Sequence, residues 1–507
     1  MRLLNRLRRM LRPGPDGKRY KAFKSALKWV RTNRVTGKGV VAFHDQARTA
    51  YPEVTGYFIP TLLECGEHDL ALEFASWLLS IQNPDGSWSD AGGKAPYVFD
   101  TGQVLKGLVA VMTRMPECEP AVRRGCEWML GRMEPSGRLV TPDKRAWVLP
   151  DGRSIPEKIH IYSIQPLRDA GLILDEQRYA AASERALSYH LSDPSLTEFD
   201  TLSHFHAYVI EGLLDLGRHD LAAAAMDHVE SRQRPDGGIP AYNSVDWVCS
   251  PGTAQFAVVW YRLGRLSHAV RALDYLCDHR NRSGGFFGSF GPGANYLPRR
   301  EISWTVKFFL DAFCLHVRTA FDPAQDAVYP NTVDPDDGRL QALFDSLEDL
   351  SGRRVLDAGC GKGRFAGTLR ERFPGAEFFG LDISDAMLER VPPGIRTTQG
   401  TLTDIPFQDA LFDAVYCIEA LEHALNPRTA VGELCRIIKP GGRIVIIDKN
   451  ADFRDTMRTE AWETWFGRVE LEQWLGDYCT DVKSRFIPLR KGTAADGFFL
   501  AWTGVRL

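Results

Sequence analysis

A glycine-bearing turn that returns at a fixed period constrains this chain most. It closes helix-like segments at Gly86 (NPDGSW), Gly137 (EPSGRL), Gly237 (RPDGGI) and Gly284 (NRSGGF), at intervals of 51, 100 and 47 residues. The doubled interval places a degenerate copy at Ser192–Ser195, so the period is about fifty residues, the signature of a repeat architecture. Each period holds two helical patterns, with apolar residues at i, i+3, i+4 and i+7 as a buried face requires. GYFIPTLLECG precedes HDLALEFASWLLSIQ, and TGQVLKGLVAVMTR precedes AVRRGCEWMLGRM. Further on, SHFHAYVIEGLLDLG precedes HDLAAAAMDHVESRQ, and GTAQFAVVWYRLG precedes LSHAVRALDYLCDHR. The first helix of each pair is the more apolar and is expected inside. Glycine after a helix supplies the left-handed cap, and Pro-Asp-Gly sets the turn. A helix from Tyr20–Thr32 completes a sixth pair with EISWTVKFFLDAFCLHV, which predicts an all-α (α/α) toroid of about six hairpins over residues 19–330. An open array of five pairs is the structural alternative.

From Arg353 the period changes. RRVLDAG reads as a strand, GCGKGRFAGTLRERF as a glycine-rich turn opening a helix, and AEFFGLDIS as a strand ending in an acid. FDAVYCIEA, NPRTAVGELCRII and KPGGRIVIID continue as strand, helix and strand. DVKSRFIPL and GFFLAWTGVRL close as an antiparallel edge. Apolar strands alternating with helices predict an α/β doubly wound Rossmann-like domain over residues 340–507. Gly359, Gly361 and Gly363 let a ligand approach the backbone where such sheets bind ligands. Asp382 closes the second strand, placed to accept both hydroxyls of a ribose. Alone, these residues suit a dinucleotide as well.

The wider set decides for one family. V-L-D-x-G-C-G-x-G, L-D-I-S, T-D-I-P-F, F-D-A-V, E-A-L-E-H and I-K-P-G-G-R together resemble the class I S-adenosylmethionine (SAM) methyltransferases. The resemblance implies SAM as cofactor, with Asp357, Gly359, Gly361 and Gly363 around its methionine part and Asp382 on the ribose. It also implies that Asp404 and Ile405 flank the adenine, with Glu419 near the sulfonium. SAM is already activated, so such an enzyme mostly supplies alignment and desolvation. An oxygen acceptor also calls for a base, and His423 is the candidate. It lies four residues after Glu419, which on a helix puts both on one face. A pocket-shaping role for His423 stays open. Trp462, Trp465, Phe466 and Trp474 either cap the acceptor site or pack a helix on the core.

The stretch Trp77-Leu78-x-x-x-Gln82-x-x-x-Gly86-x-Trp88 resembles the QW repeat of the terpene cyclases, toroids related to protein prenyltransferases, with a partial copy at Gln233–Gly237. In that family the motif ties hairpins together, so it implies a toroid and not a cyclase activity. The D-x-D-D of Asp334–Asp337 lies in a polar Pro/Gly stretch, which gives a proton donor no burial. Residues 331–339 read as a linker.

Candidate toroid residues sit where inner helices begin, around the mouth: Glu53 and Tyr57, Tyr97 and Asp100, His160 and Tyr162, His204 and His206, Arg300 and Trp304. Carboxylates, histidines and aromatic rings around one cavity suit a polyhydroxylated ligand. The expected acceptor is a glycan or glycolipid, methylated at oxygen. Two other readings remain: a toroid that is a second enzyme (lyase, epimerase, hydrolase or terpene-cyclase-like), and a protein-interaction scaffold.

At 44% hydrophobic and 25% charged the composition is that of a soluble protein. There is no apolar run long enough to span a bilayer and no signal-peptide core. Ten scattered cysteines without metal-ligand spacing predict reduced thiols in the cytoplasm, with no metal site. The net charge of −3 hides an asymmetry. Residues 1–38 hold thirteen Lys/Arg and one acid, giving +12 there and −15 on the rest. MRLLNRLRRMLR places Leu3, Leu4, Leu7, Met10 and Leu11 on one stripe among arginines. Residues 1–18 therefore read as a basic amphipathic leader, and residues 1–14 as a peripheral contact with the anionic inner membrane face. The bland reading of the leader is a solvated arm or a helix packed on the toroid. No nucleic-acid partner is expected.

Overall fold

The computed structural model describes residues 15–507 apart from 46, 144–147, 149–151, 322–329 and 457–458. The leader residues 1–14 lie outside the described residues. The chain forms two compact units: residues up to Leu62 with His68–His316, and Leu63–Glu67 with Val317–Leu507.

Among the described residues the first unit is built on twelve helices: α1 (Pro15–Asn33), α2 (Pro52–Glu64), α3 (His68–Ser80), α4 (Val98–Val111), α5 (Glu119–Gly131), α6 (Gln165–Ile173), α7 (Gln177–Leu191), α8 (Ser203–Asp215), α9 (His219–Arg232), α10 (Ser250–Arg262), α11 (Leu266–His279) and α12 (Ser303–Thr319). Before α6 the chain makes a 3-10 turn over Glu157–Ser163. Pro166, which has no N–H to continue a helical ladder, starts the α-helix afresh.

The turn glycines explain their own recurrence. Gly86, Gly137, Gly237 and Gly284 have φ of 94°, 93°, 95° and 102°. A Cβ on each would come within 2.4, 2.3, 2.1 and 2.0 Å of the carbonyl oxygens of Arg124, Arg185, Arg271 and Ser25. The first three turns thus abut the later helices α5, α7 and α11, and the last abuts α1. Positive φ and a backbone neighbour both demand glycine. At Ser192–Ser195 a different device replaces it: Asp193 Oδ1 accepts from the Ser195 N–H at 2.9 Å and hydroxyl at 2.7 Å. Gln82 Nε2 donates to the Gly86 and Ala121 carbonyls, at 3.0 and 2.9 Å, and Gln233 Nε2 repeats the pattern on Gly237 and His268, at 3.2 and 3.0 Å. Trp88 is fully buried and its Nε1 donates to the Leu78 carbonyl.

Helix α1 lies against α11 and α12. Arg19 bonds Asp274, and the Phe23 and Phe313 rings stack 4.5 Å apart. Its far end meets the first pair, where Arg34 and the Gly37 N–H both bond Glu73 on α3. Among the more buried helices, α10 meets α12 through Ser250 and Thr305 (2.9 Å), and α12 meets α2 through Asp311 and Thr61 (2.6 Å).

The second unit is a seven-stranded mixed sheet: β1 (Arg354–Ala358), β2 (Glu377–Asp382), β3 (Ile395–Gln399), β4 (Phe412–Ile418), β5 (Ile438–Lys449), β6 (Cys479–Ile487) and β7 (Phe499–Arg506). The order is β3-β2-β1-β4-β5-β7-β6. β1 to β5 run parallel, β7 is antiparallel to β5, and β6 is antiparallel to β7. Helices α13 (Gly338–Leu347), α14 (Arg364–Arg372), α15 (Asp385–Leu388), α16 (Pro427–Arg436) and α17 (Arg468–Gly476) accompany it. Apolar clusters cover both faces, one around Leu356, Val415 and Ile446, the other around Val355, Tyr416 and Val445. This is why the strands read as apolar runs. The strand order reverses between β1 and β4, which leaves a crevice at their carboxyl ends.

The segment read as linker belongs to this unit. Val333 is in its core, and Asp337 caps α13 by accepting from the Arg339 N–H at 2.8 Å. The D-x-D-D stretch is therefore a turn and a cap. Asp334 pairs with Arg490 at 2.9 Å. Burial opposes ionisation of Asp337, but its bonds with Arg339 hold it below the usual carboxylate range. Among the described residues, no helix is long and apolar enough to cross a membrane.

Candidate functional site

The glycine-rich turn leaves β1 and enters α14. The Gly359 and Cys360 N–H groups donate to the Leu381 carbonyl at 2.8 and 2.9 Å, which ties the turn to β2. Gly359, Gly361 and Gly363 all have positive φ: 80°, 53° and 72°. A Cβ on Gly359 would strike Ala420 at 2.2 Å, whereas one on Gly361 would point into open space. The turn is thus backed on one side by Ala420, just after β4, and faces open space on the other.

Asp382 ends β2 with Oδ2 on the Gly361 N–H (2.7 Å) and Oδ1 on the Ser384 N–H (3.0 Å). Burial raises its pKa, and these backbone N–H groups pull against that. Both oxygens keep further lone pairs, so the carboxylate can still receive a diol. Asp357 stands opposite Tyr416 in the β1–β4 register. Burial pushes it up to about 7, and the Tyr416 hydroxyl partly offsets this. Asp404 lies half-buried in the Thr401–Asp404 turn. Ile405 is core; its N–H donates to Glu433 and its carbonyl accepts from Arg436.

Glu419 and His423 do not share a helix face. Glu419 has φ 49°, a bend after β4, and only Leu421–His423 turn as a short 3-10 segment. Three cations gather on Glu419: Arg339 in direct contact, Arg364 at 3.5 Å and Lys449 at 3.9 Å. His423 Nε2 stands 3.4 Å from Glu422 Oε1, its ring meets Phe321 edge-on at 5.0 Å, and its buried Nδ1 has no hydrogen-bond partner. Burial drives its pKa down to about 4, so the imidazole is neutral near pH 7 and only weakly basic. Lys449 contacts Glu422 directly and reaches Glu463 at 3.8 Å. The Glu422 N–H donates to Asp448 at 3.1 Å. Trp462 and Trp465 are buried, and Phe466 packs with Trp474 on the sheet core. Sequence reasoning missed Arg339, Arg364, Glu422 and Lys449. The second acid of E-A-L-E-H and the lysine ending IVIIDK were the available signals.

In the helical unit, Glu53, Tyr57, Asp100, His160 and His204 are buried, and Trp304 is half-buried, so they do not line an open mouth. Trp304 Nε1 donates to Glu53 at 3.3 Å, and the Tyr51 hydroxyl donates to Asp100 at 3.0 Å. Burial lifts both carboxyls, and Asp100 raises Glu53 further. Tyr57 and His204 belong to the same interior: Tyr57 stacks on Phe308, and His204 lies 4.4 Å from Tyr208 and bonds Gln255. Tyr162 bonds Glu211. His160 Nδ1 stands 3.1 Å from the Leu139 carbonyl oxygen. Buried His206 stacks on Phe199, Tyr97 is buried, and Arg300 is exposed over Phe43.

Residues 356–446 match the family model described as "Methyltransferase domain". The C-terminal unit carries a methyltransferase domain. It is of class I and takes SAM, which supplies a methyl group on a sulfonium. This methyltransferase domain is similar to a ubiquinone biosynthesis O-methyltransferase of Alkalilimnicola ehrlichii, 31% identical over 27% of this chain and 64% of that protein. It is also similar to a phthiotriol/phenolphthiotriol dimycocerosates methyltransferase of Mycobacterium leprae, 30% identical over 25% of this chain and 47% of that protein. The chain thus spans less than two thirds of the length of these curated relatives. A solved SAM-dependent methyltransferase of Thermotoga maritima is 21% identical, covering 34% of this chain and 88% of its own, with a TM-score of 0.29. The residues present fit the cofactor. The open space beside Gly361 would give its methionine part room, and Asp382 at the strand end would receive the ribose.

Proposed function

We propose that the protein is a SAM-dependent methyltransferase that modifies a hydroxyl of a glycan or glycolipid. The helical unit, which we read as an α/α toroid of six hairpins over residues 19–330, helps to hold that acceptor. The observation that carries the transferase reading is the turn at Gly359–Gly363 with Asp382 beside it. Support for oxygen as the acceptor comes from His423, a neutral imidazole beside Glu422 with an unpartnered buried nitrogen. Support for the toroid comes from the turn glycines, whose last member rests on α1. The glycan reading rests on the carboxylates and aromatic rings of that unit. We read residues 1–14, basic and amphipathic in sequence, as a peripheral contact with the anionic inner membrane face. Incubation with radiolabelled SAM and extracts of polysaccharides and lipid-linked sugars tests this. A methyl ether on a sugar is expected; label found only on nitrogen, on carbon or on a sugar-free product contradicts it.

One observation favours a bifunctional reading. Glu53 and Asp100 are both buried with raised pKa, the environment of a carboxyl kept protonated for general acid work. Glu53→Gln separates the two readings: loss of a product formed without SAM supports a second activity, and unchanged products exclude it.

A further inference from the structure

In the helical unit, four connections that lead into buried helices enclose an open cavity of about 800 Å³. They contribute Arg153 before the Glu157–Ser163 turn, residues 197–200 before α8, residues 242–247 before α10, and Asn295 before α12. Its volume lies in the range of small-molecule sites, roughly 300–1,000 Å³. None of the residues expected at the mouth lines it.

The walls are set before any ligand arrives. Tyr242 and Trp247 meet at a right-angled corner, with centroids 5.9 Å apart and planes at 76°. The Arg153 guanidinium lies 4.4 Å over Tyr242 and donates to its hydroxyl at 2.5 Å. Asn243 Nδ2 donates to the Phe199 carbonyl at 2.6 Å, which ties the connection before α10 to the one before α8. Exposed at the rim are the carboxylates of Glu198 and Asp200, the Asn295 amide and the Ser244 hydroxyl. Lys158 contacts Asp200.

We propose that this cavity binds a neutral oligosaccharide segment. Carboxylates and amides side by side offer acceptors and donors to vicinal hydroxyls, and the tyrosine corner offers ring carbons an apolar edge. A polyanion would meet Glu198 and Asp200, while the cations beside them are already engaged, Lys158 by Asp200 and Arg153 by the Tyr242 ring and hydroxyl. An apolar chain would strip water from both carboxylates and from the amides without replacing their hydrogen bonds. The inference rests on the glycan reading above and narrows it to a place and a charge class.

The test uses the full chain on immobilised malto-, xylo-, manno- and chito-oligosaccharides, with heparin as the anionic probe. Tyr242→Ala, Asn295→Ala and Ser244→Trp are compared with the wild type, and the helical circular dichroism signal and its thermal unfolding check that each is folded. The expected result is retention of the wild type on at least one neutral series, and at least tenfold weaker retention of every variant with the helical signal unchanged. Retention that the variants do not alter overturns the cavity and leaves the glycan reading standing. Retention on heparin alone overturns the neutral class. A wild type that binds SAM and no saccharide overturns both. Should Tyr242→Ala lose its helical signal through misfolding, Ser244→Trp decides, because Ser244 is exposed and the indole simply fills the space.

Discussion

Gly284 rests on the carbonyl of Ser25: a Cβ there would stand 2.0 Å from that oxygen. The two residues lie near opposite ends of the helical unit's sequence, so this contact joins the last turn of the repeat to helix α1. Gly284→Ala should cost about 2–4 kcal/mol, from left-handed backbone strain plus backbone displacement. Gly37 also has positive φ, at 70°, but a Cβ there meets nothing. Gly37→Ala should therefore cost only about 1 kcal/mol. Thermal unfolding of the two variants measures the difference, and equal losses would contradict the contact.

That pair also shows what the sequence could reveal. A turn that needs glycine for two backbone reasons leaves the same letter at each repeat, and strands covered on both faces leave apolar runs. Residues brought together by long-range packing leave no such trace. Arg339 stands in what reads as a linker and meets Glu419, and Lys449 ends a strand and meets Glu422. Neither spacing announces the pair. The helix-start residues Glu53 and Asp100 could be found by position, but their burial comes from Tyr51, Trp304 and neighbouring helices. The shared face expected of Glu419 and His423 failed because a positive-φ bend at Glu419 breaks helical geometry.

Asp357 gives a pH signature. Burial raises its folded pKa from 3.8 to about 7. The folded state therefore holds a proton that the unfolded chain has released, and this group's contribution to stability falls as pH rises from about 4 through 7. Asp357→Asn should remove that slope and make the C-terminal unit more stable than wild type at pH 8. Urea midpoints of both proteins across pH 4–8 check it; parallel curves would contradict the burial argument.

The leader carries a separate expectation. Five arginines within residues 1–12, at about 1 kcal/mol each near an anionic surface, should give salt-sensitive attachment. Full-length protein should sediment with phosphatidylglycerol vesicles and detach at high salt, while a chain lacking residues 1–14 stays in solution. Equal sedimentation of both, or of neither, would remove the membrane from the account.

The central claim is that the cleft beside Gly359–Gly363 holds SAM with Asp382 on the ribose. Calorimetry of the full chain with SAM, for wild type and Asp382→Ala, tests it most directly. Losing one charge-assisted acceptor for two hydroxyls should weaken binding by about 10- to 150-fold, or about 1.5–3 kcal/mol. The account predicts one SAM per wild-type chain and that loss in a variant with an unchanged circular dichroism spectrum. Equal SAM affinity in both proteins would contradict it.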